Sequence, residues 1–370
     1  MTIRRITLHR IALPFEIHGS RTVIRPEAQA WKSMECLLVR VDTDDGLTGW
    51  GEAFGHFVNA GTQAVLRTLV GPWFIGQAVA DIASTMARAH RAFYGYGRSG
   101  PVMYALSAIE IALWDIESQR AGKPLYRHLG GSTGTLEGYA SLMRYGGDPA
   151  AVAANVERAR QAGYRLIKLH ENTLPAIEAA RAAMDGAGEV ALDVNVAWSP
   201  DEALSMIDAL DSNGYAWLEE PIWPCEDFER LATLRTGKIA IAGGENIGTP
   251  LEFRRALQAG AFDVIQPSIT KIGGFHVMRE VAALARGFSV RLVPHCFYWG
   301  PGYLATAHFL ASLPEAVPLE TAFIDFERPP HDLFHPGQAT LTLGERPGLG
   351  FEADWDYLGH YTLATERIGG

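Results

Sequence analysis

From about residue 135 the chain repeats one phrase, a helical run that ends near glycine or a turn and then a short apolar strand. DPAAVAANVERARQAG leads into YRLIKLH, LEFRRALQAG into AFDVIQPS, and FHVMREVAALARG into FSVRLVPH. Helices alternating with apolar strands require a parallel sheet, because each crossover returns the chain to the same edge direction. The spacing narrows the choice further. A polar residue closes each strand at 168, 193, 219, 245, 268, 295 and 320, in steps of 25, 26, 26, 23, 27 and 25. A βα unit of near-constant length, repeated about eight times, is a (β/α) barrel, whose active site lies at the C-terminal ends of its strands. Lys168, Asp193, Glu219, Glu245, Ser268, His295 and Glu320 are therefore expected to converge on one mouth.

The first 130 residues read differently. Residues 2–13 and 35–42 have strand character, Asp45-Gly46 marks a hairpin turn, and LTGWGEA is the return strand. Helical patterns follow from about Thr62 to Gln119, the clearest being MYALSAIEIALWDIESQ. This is an α+β unit of residues 1–130, ahead of a barrel over 131–325.

Composition removes several function classes. A chain of 370 residues with 48% apolar and 20% charged residues is a globular protein. Its formal charge of −10 does not suit a nucleic-acid backbone, and no apolar stretch approaches a membrane span. Three scattered cysteines and the lack of a signal-peptide pattern point to the cytoplasm. GYGRSG (95–100) and GGSTG (130–134) match nucleotide-binding and nucleophile-elbow patterns in the wrong structural context.

The strand ends carry the chemistry. Asp193, Glu219 and Glu245 end three consecutive strands, and three carboxylates facing one point repel unless a cation neutralises them. Hard oxygen donors without Cys or His suit Mg²⁺, with Mn²⁺ as a substitute. Asn195 shares a face with Asp193 and can orient a ligand, whereas Glu220 is expected to point away from the mouth, as the neighbour of an inward strand residue does. Lys168 and His170 lie two apart on one strand and so enter the mouth together, His170 as a candidate general base. His295, on the far side, is a second acid or base. Glu320 could be a protonated group that hydrogen-bonds a developing oxyanion. Cys296 reads as packing.

The stretches GLTGWGEA (46–53), YALSAIEIALWDI (104–116), LDVN (192–195), WLEEP (217–221), GGEN (243–246), QPSITKIGG (266–274) and PH (294–295) resemble the enolase superfamily, in particular its mandelate racemase-like subgroup (the mandelate racemase/muconate lactonizing enzyme family). The resemblance covers nearly the whole chain. It implies a (β/α)₇β barrel, a modified TIM barrel, under an α+β capping domain that residues 326–370 rejoin. It implies Mg²⁺ on Asp193, Glu219 and Glu245. It further implies acid/base groups at Lys168, His170 and His295, an electrophilic carboxylate at Glu320, homo-oligomers, and removal of the proton beside a carboxylate to give a metal-stabilised enediolate.

Two positions depart from the subgroup. Its usual Lys-x-Lys is Lys168-x-His170 here, and Ser268 stands where an Asp normally pairs with the histidine on strand seven. The departures favour one-base elimination from a hydroxy or sugar acid over two-base racemisation or epimerisation. In that elimination His170 takes the α-proton and His295 protonates the departing hydroxyl. A barrel that binds metal or ligand without chemistry is the third reading. Substrate recognition is assigned to cap loops near Phe15–Arg25 and Ala53–Gly61, with His18, Arg21, Arg25 and His56 as candidate contacts for a small carboxylate. Tyr298 and Trp299 are expected to form an apolar wall, and Arg144 and Tyr145 to reach ligand.

Overall fold

The computed structural model describes residues 2–18, 23–24, 29–78, 81–210 and 213–370, with the backbone alone at 23–24 and 29–30. Arg21 and Arg25 lie outside the described residues. A five-stranded antiparallel sheet forms the cap. Ile3–Glu16 pairs with Ser33–Thr43, which pairs with Thr48–Ala53 through the turn at Gly46 (φ 90°). Thr362–Gly369 returns to the opposite edge of the first strand, with Ile6 opposite Ile368. The helix Pro101–Arg120 packs on Thr48–Ala53 so closely that Gly49 and Gly51 have no room for a side chain. A Cβ would sit 2.1 Å from the Ala112 carbonyl oxygen and 1.9 Å from that of Ala108. The repeated Gly of GWG is thus a close-approach device.

Eight parallel strands run in the spatial order 291–292, 264–265, 241–243, 215–219, 189–193, 166–169, 135–141 and 319–322. Seven helices connect them, from Pro149–Gln161 to Pro301–Ala311. This is the expected (β/α)₇β arrangement. Apolar residues such as Ile167, Val190, Leu192, Trp217 and Ile241 are fully buried, as a sheet covered by helices requires. No ladder joins 291–292 to 319–322 among the described residues. Instead the Glu320 carboxylate accepts a hydrogen bond of 2.6 Å from the Cys296 N–H and bridges the last two strand ends.

Two buried carboxyls fasten cap to barrel, and a third ties the cap to the C-terminal segment. Glu52 accepts from Gly302 N–H (2.8 Å) and Cys36 Sγ (3.0 Å), and Glu110 from His276 N–H (2.9 Å) and Trp114 Nε1 (3.1 Å). Gly302 and His276 lie in the first turns of Pro301–Ala311 and Phe275–Gly287, where the helix dipole favours an acidic group. Asp115 joins the Trp50 N–H (2.9 Å) to the Leu349 N–H (2.8 Å) of the C-terminal segment.

Burial raises these carboxyls, Glu52 to about 7, Glu110 to about 8 and Asp115 to about 6. Each therefore holds its proton to higher pH when folded than when unfolded. The folded state binds more protons between the ordinary carboxyl range and those values, so stability falls as pH rises through that window. Chemical denaturation of the protein should show this fall, and Glu110→Gln should flatten it by roughly 1–3 kcal/mol while costing little near neutrality. An unchanged slope in Glu110→Gln would contradict a buried, protonated Glu110.

Candidate active site and metal centre

Register explains why the strand ends meet. Lys168 sits beside Ala191 on the neighbouring strand, and Asp193 pairs directly with Glu219. Asp193, Glu219 and Glu245 each offer an oxygen, and these atoms all lie within 4.8 Å of one another. Burial and the Asp193 charge together push the Glu219 carboxyl well above the ordinary range, the direct signature of like charges in a dry site. Trp217 Nε1 (3.0 Å) and Gln266 Nε2 (2.6 Å) donate to Glu219 Oε2 and fix its plane. The Asn195 backbone N–H (3.1 Å) and side-chain amide (2.8 Å) donate to Asp193 Oδ1, so Asn195 orients this carboxylate. Three hard oxygen donors, no Cys or His within the set and mutual repulsion relieved by positive charge together fit a divalent Mg²⁺-type cation.

Lys168 is 1% exposed and lies within 2.7 Å of Glu320 Oε1, 3.1 Å of Glu219 Oε1 and 3.4 Å of Asp193 Oδ2. Burial opposes its charge, but these carboxylates outweigh burial and hold the ammonium protonated. The Lys168 ammonium acts on Glu320 in turn, the residue that the sequence makes a candidate protonated donor. Burial raises it, but Lys168 and His295 outweigh that and hold it below the usual carboxyl range.

His170 and His295 stand at opposite ends of the triad. His170 Nε2 is 3.2 Å from Asp193 Oδ2, and its Nδ1 meets the Leu142 carbonyl oxygen. Because a carbonyl only accepts, Nδ1 carries a proton and Nε2 is the exchangeable position. His295 Nε2 is 3.2 Å from Glu245 Oε2. Burial foremost, with Lys271, lowers the imidazole to about 4 against the opposing pull of Glu245. Ser268 is fully buried and hydrogen-bonded to the Tyr298 hydroxyl.

Glu220 lines a pocket with Phe228, Leu231 and Arg255, on the helix side of its strand. Its backbone is left-handed (φ 44°), and its buried carboxyl accepts from Asn246 Nδ2 at 3.2 Å. Burial, then Glu245 and Asp193, raise it to about 8. Several expectations need correction. Tyr298 is no apolar wall, since its hydroxyl is 3.3 Å from His295 Nδ1. Trp299 is fully buried, with its ring against Phe326 and its carbonyl bonded to His331. The aromatic rim is formed instead by Phe297, Trp31 and Phe54. Phe297 meets Trp31 and His170, and Phe54 meets His295 and Tyr298. Tyr145 is buried, and its N–H donates to Glu171. His18 is half exposed and engaged by Asp325 at 2.7 Å.

His56 does join the site from the cap. Its ring packs on Trp31 and Phe54, its Nδ1 is buried without a hydrogen-bond partner, and burial with nearby Lys271 and His295 lowers it to about 3. Lys271 was not expected there. Its Nζ reaches Glu245 Oε1 (2.8 Å) and Asn246 Oδ1 (3.1 Å) and lies 4.1 Å over the Phe54 ring. The turn after the sixth strand folds it back onto the mouth, which counting strand ends cannot register. Its only sequence signal is its place inside QPSITKIGG.

Residues 151–357 match the family model for the enolase C-terminal domain-like region, and residues 17–130 that for the mandelate racemase/muconate lactonizing enzyme N-terminal domain. The chain is 31% identical to D-galactarolactone cycloisomerase of Agrobacterium fabrum over 96% of both proteins. It is 32% identical to D-galactonate dehydratase of Ralstonia pickettii, over 70% of this chain and 71% of that protein. A crystal structure of a racemase from Streptomyces coelicolor with bound magnesium superposes with a TM-score of 0.85 at 26% identity, covering 98% of this chain and all of that one.

Mg²⁺ added to chelator-treated protein should raise the thermal midpoint. Binding at 100-fold excess over the dissociation constant contributes about 2.7 kcal/mol. Asp193→Asn, Glu219→Gln and Glu245→Gln should each abolish that rise, and a full Mg²⁺ response in all three would place the ion elsewhere.

Proposed function

The chain belongs to the mandelate racemase/muconate lactonizing enzyme family of the enolase superfamily, and from that membership we propose that it is a Mg²⁺-dependent lyase. In this reading it removes the proton α to the carboxylate of a hydroxylated sugar acid and expels a β-hydroxyl as water. Asp193, Glu219 and Glu245 hold the cation. When bound, Mg²⁺ supplies positive charge against the negative charge that develops on the substrate carboxylate.

The observation that carries the reading is the bracketing of the triad by two histidines, one 3.2 Å from Asp193 and the other 3.2 Å from Glu245. His170 takes the α-proton on Nε2, its ring held by the Leu142 carbonyl. His295 acts as the acid in its imidazolium form, protonating the departing hydroxyl and returning to neutral imidazole, and the enol left behind tautomerises to a 2-keto acid. Lys168 is the fixed positive charge at the floor of the site, and His56 with Lys271 contacts the substrate from the cap side. We assign residues 1–130 and 326–370 to the cap and 131–325 to the barrel. No helix among the described residues is long and apolar enough to cross a membrane. We place the protein in the cytoplasm, where Cys36, Cys225 and Cys296 stay free thiols, as a homo-oligomer.

The near full-length match to a cycloisomerase favours one second reading, in which the same α-proton leaves and a ring oxygen departs in place of a hydroxyl. Racemisation or epimerisation would return the proton to the same carbon.

Mass spectrometry of pooled acid sugars and their lactones in D₂O with Mg²⁺ separates these outcomes. Dehydration predicts loss of water from one member, and cycloisomerisation or epimerisation predicts deuterium uptake with the atom count retained. Silence across the pool with Mg²⁺ bound would contradict the lyase. In His170→Asn the turnover should fall by about 10²-fold or more, since general-base contributions are of that order. Full turnover in that variant would remove His170 from the role.

A further inference from the structure

We infer that Glu171 is a positioning residue for His170. It holds the loop after the first barrel strand, residues 142–148, in the curl that turns the Leu142 carbonyl onto the His170 ring. The inference rests on the lyase reading for its consequence in turnover, but its structural basis stands apart from that reading.

His170 and Glu171 follow the strand Leu166–Leu169 directly, and both reach back to the preceding loop. The His170 Nδ1 meets the Leu142 carbonyl oxygen. That carbonyl is not fixed by the barrel ladder. The ladder of the first strand ends with Ser141 beside Lys168, and the Leu142 N–H donates to the Lys168 carbonyl at 2.9 Å. The Leu142 carbonyl belongs to the next peptide plane, so its direction is set by the course of the loop. Glu171 sets that course. Its two oxygens take one loop N–H each, Oε1 that of Tyr145 and Oε2 that of Gly147 at 2.8 Å. Gly146 and Gly147 are both left-handed, with φ of 71° and 79°, and this curl brings the two N–H groups onto one carboxylate.

The arrangement is buried and anchored at both ends. Glu171 is 1% exposed, and Leu142 and Tyr145 are buried beside it. Burial raises the Glu171 carboxyl, against the two N–H groups, Arg144 and His170. The carbonyl of the next residue, Asn172, accepts from Trp198 Nε1 at 3.2 Å and holds the Glu171 backbone from the far side. At the other end of the loop Asp148 caps the helix Pro149–Gln161, accepting from the Ala150 N–H at 2.9 Å. Between these anchors the loop can change course, and two N–H groups left without an acceptor would favour such a change. Glu171 therefore acts through His170 and not on the substrate. It decides where the base stands relative to the α-proton.

The test is a pair of crystal structures of the Mg²⁺-loaded protein, carrying Glu171→Gln and Gly147→Ala. The first turns an amide NH₂ toward one loop N–H. The second strains the loop at a φ of 79° without touching Glu171, and carries the same test where Glu171→Gln does not fold. In both, the Leu142 carbonyl should turn and the His170 ring should shift by about 1 Å, the scale of misplacement that costs about 10²-fold in rate. A His170 ring still bonded to an unmoved Leu142 carbonyl in either variant overturns the inference. Turnover supplies the second readout, on whichever substrate the D₂O screen identifies. Glu171→Gln should lower kcat by about 10- to 10²-fold with KM little changed. In the His170→Asn background the same change should cost less than about twofold, because groups that act as one unit are not additive. An equal fall in both backgrounds would show a merely structural role and overturn the inference. The crystal structures need no substrate, so a silent screen refutes the lyase and leaves the placement of His170 to be decided by them.

Discussion

Four carboxylates, Asp193, Glu219, Glu245 and Glu320, are aimed at one small volume by strand register, and the structure is organised around their repulsion. A single buried Lys168 reaches three of them. His170, His295 and Lys271 supply positive or hydrogen-bonding groups at the edges. Removing an ion from such a network leaves uncompensated buried charge, typically costing about 3–5 kcal/mol. The same concentration of negative charge is what lets a divalent cation bind, and through it a substrate anion, on a chain with formal charge −10.

The cap covers one side of the mouth with aromatic rings. Glu52 and Glu110 fasten the cap to the barrel by accepting backbone N–H groups of two barrel helices. They hold the loop that carries Phe54 and His56 over the mouth, where Phe54 packs between the Lys271 ammonium and the ring of Tyr298. Beside these aromatic faces His56 keeps an unpaired buried nitrogen. A polar atom held in that state is suited to a ligand that arrives with its own hydrogen-bond donor or acceptor.

What could be read from the residues alone followed regular geometry. Near-constant spacing exposed the barrel, and the strand period placed Lys168 with His170, whereas Asn195 reaches Asp193 from a left-handed turn beyond the strand. The triad was legible because three acids at matching strand ends have few other uses. The failures came where the backbone leaves that regularity. Lys271 returns on a turn beyond its strand, and Tyr298 lies in the coil after strand seven. Ser268 looked like a lost function, because the tyrosine hydroxyl that meets the histidine in its place is thirty residues further along the chain. Aromatic side chains carry little positional signal of their own, so Trp299 and Phe297 could be told apart only by their surroundings.

The account's central claim is that the strand-end carboxylates form one divalent-cation site between two histidines. Anomalous diffraction from a crystal loaded with Mn²⁺ tests it most directly. The account predicts a single strong peak bonded to Asp193, Glu219 and Glu245, with His170 and His295 on either side of the open face. A peak away from these residues, or none while Lys168 stays paired to Asp193, Glu219 and Glu320, would contradict it.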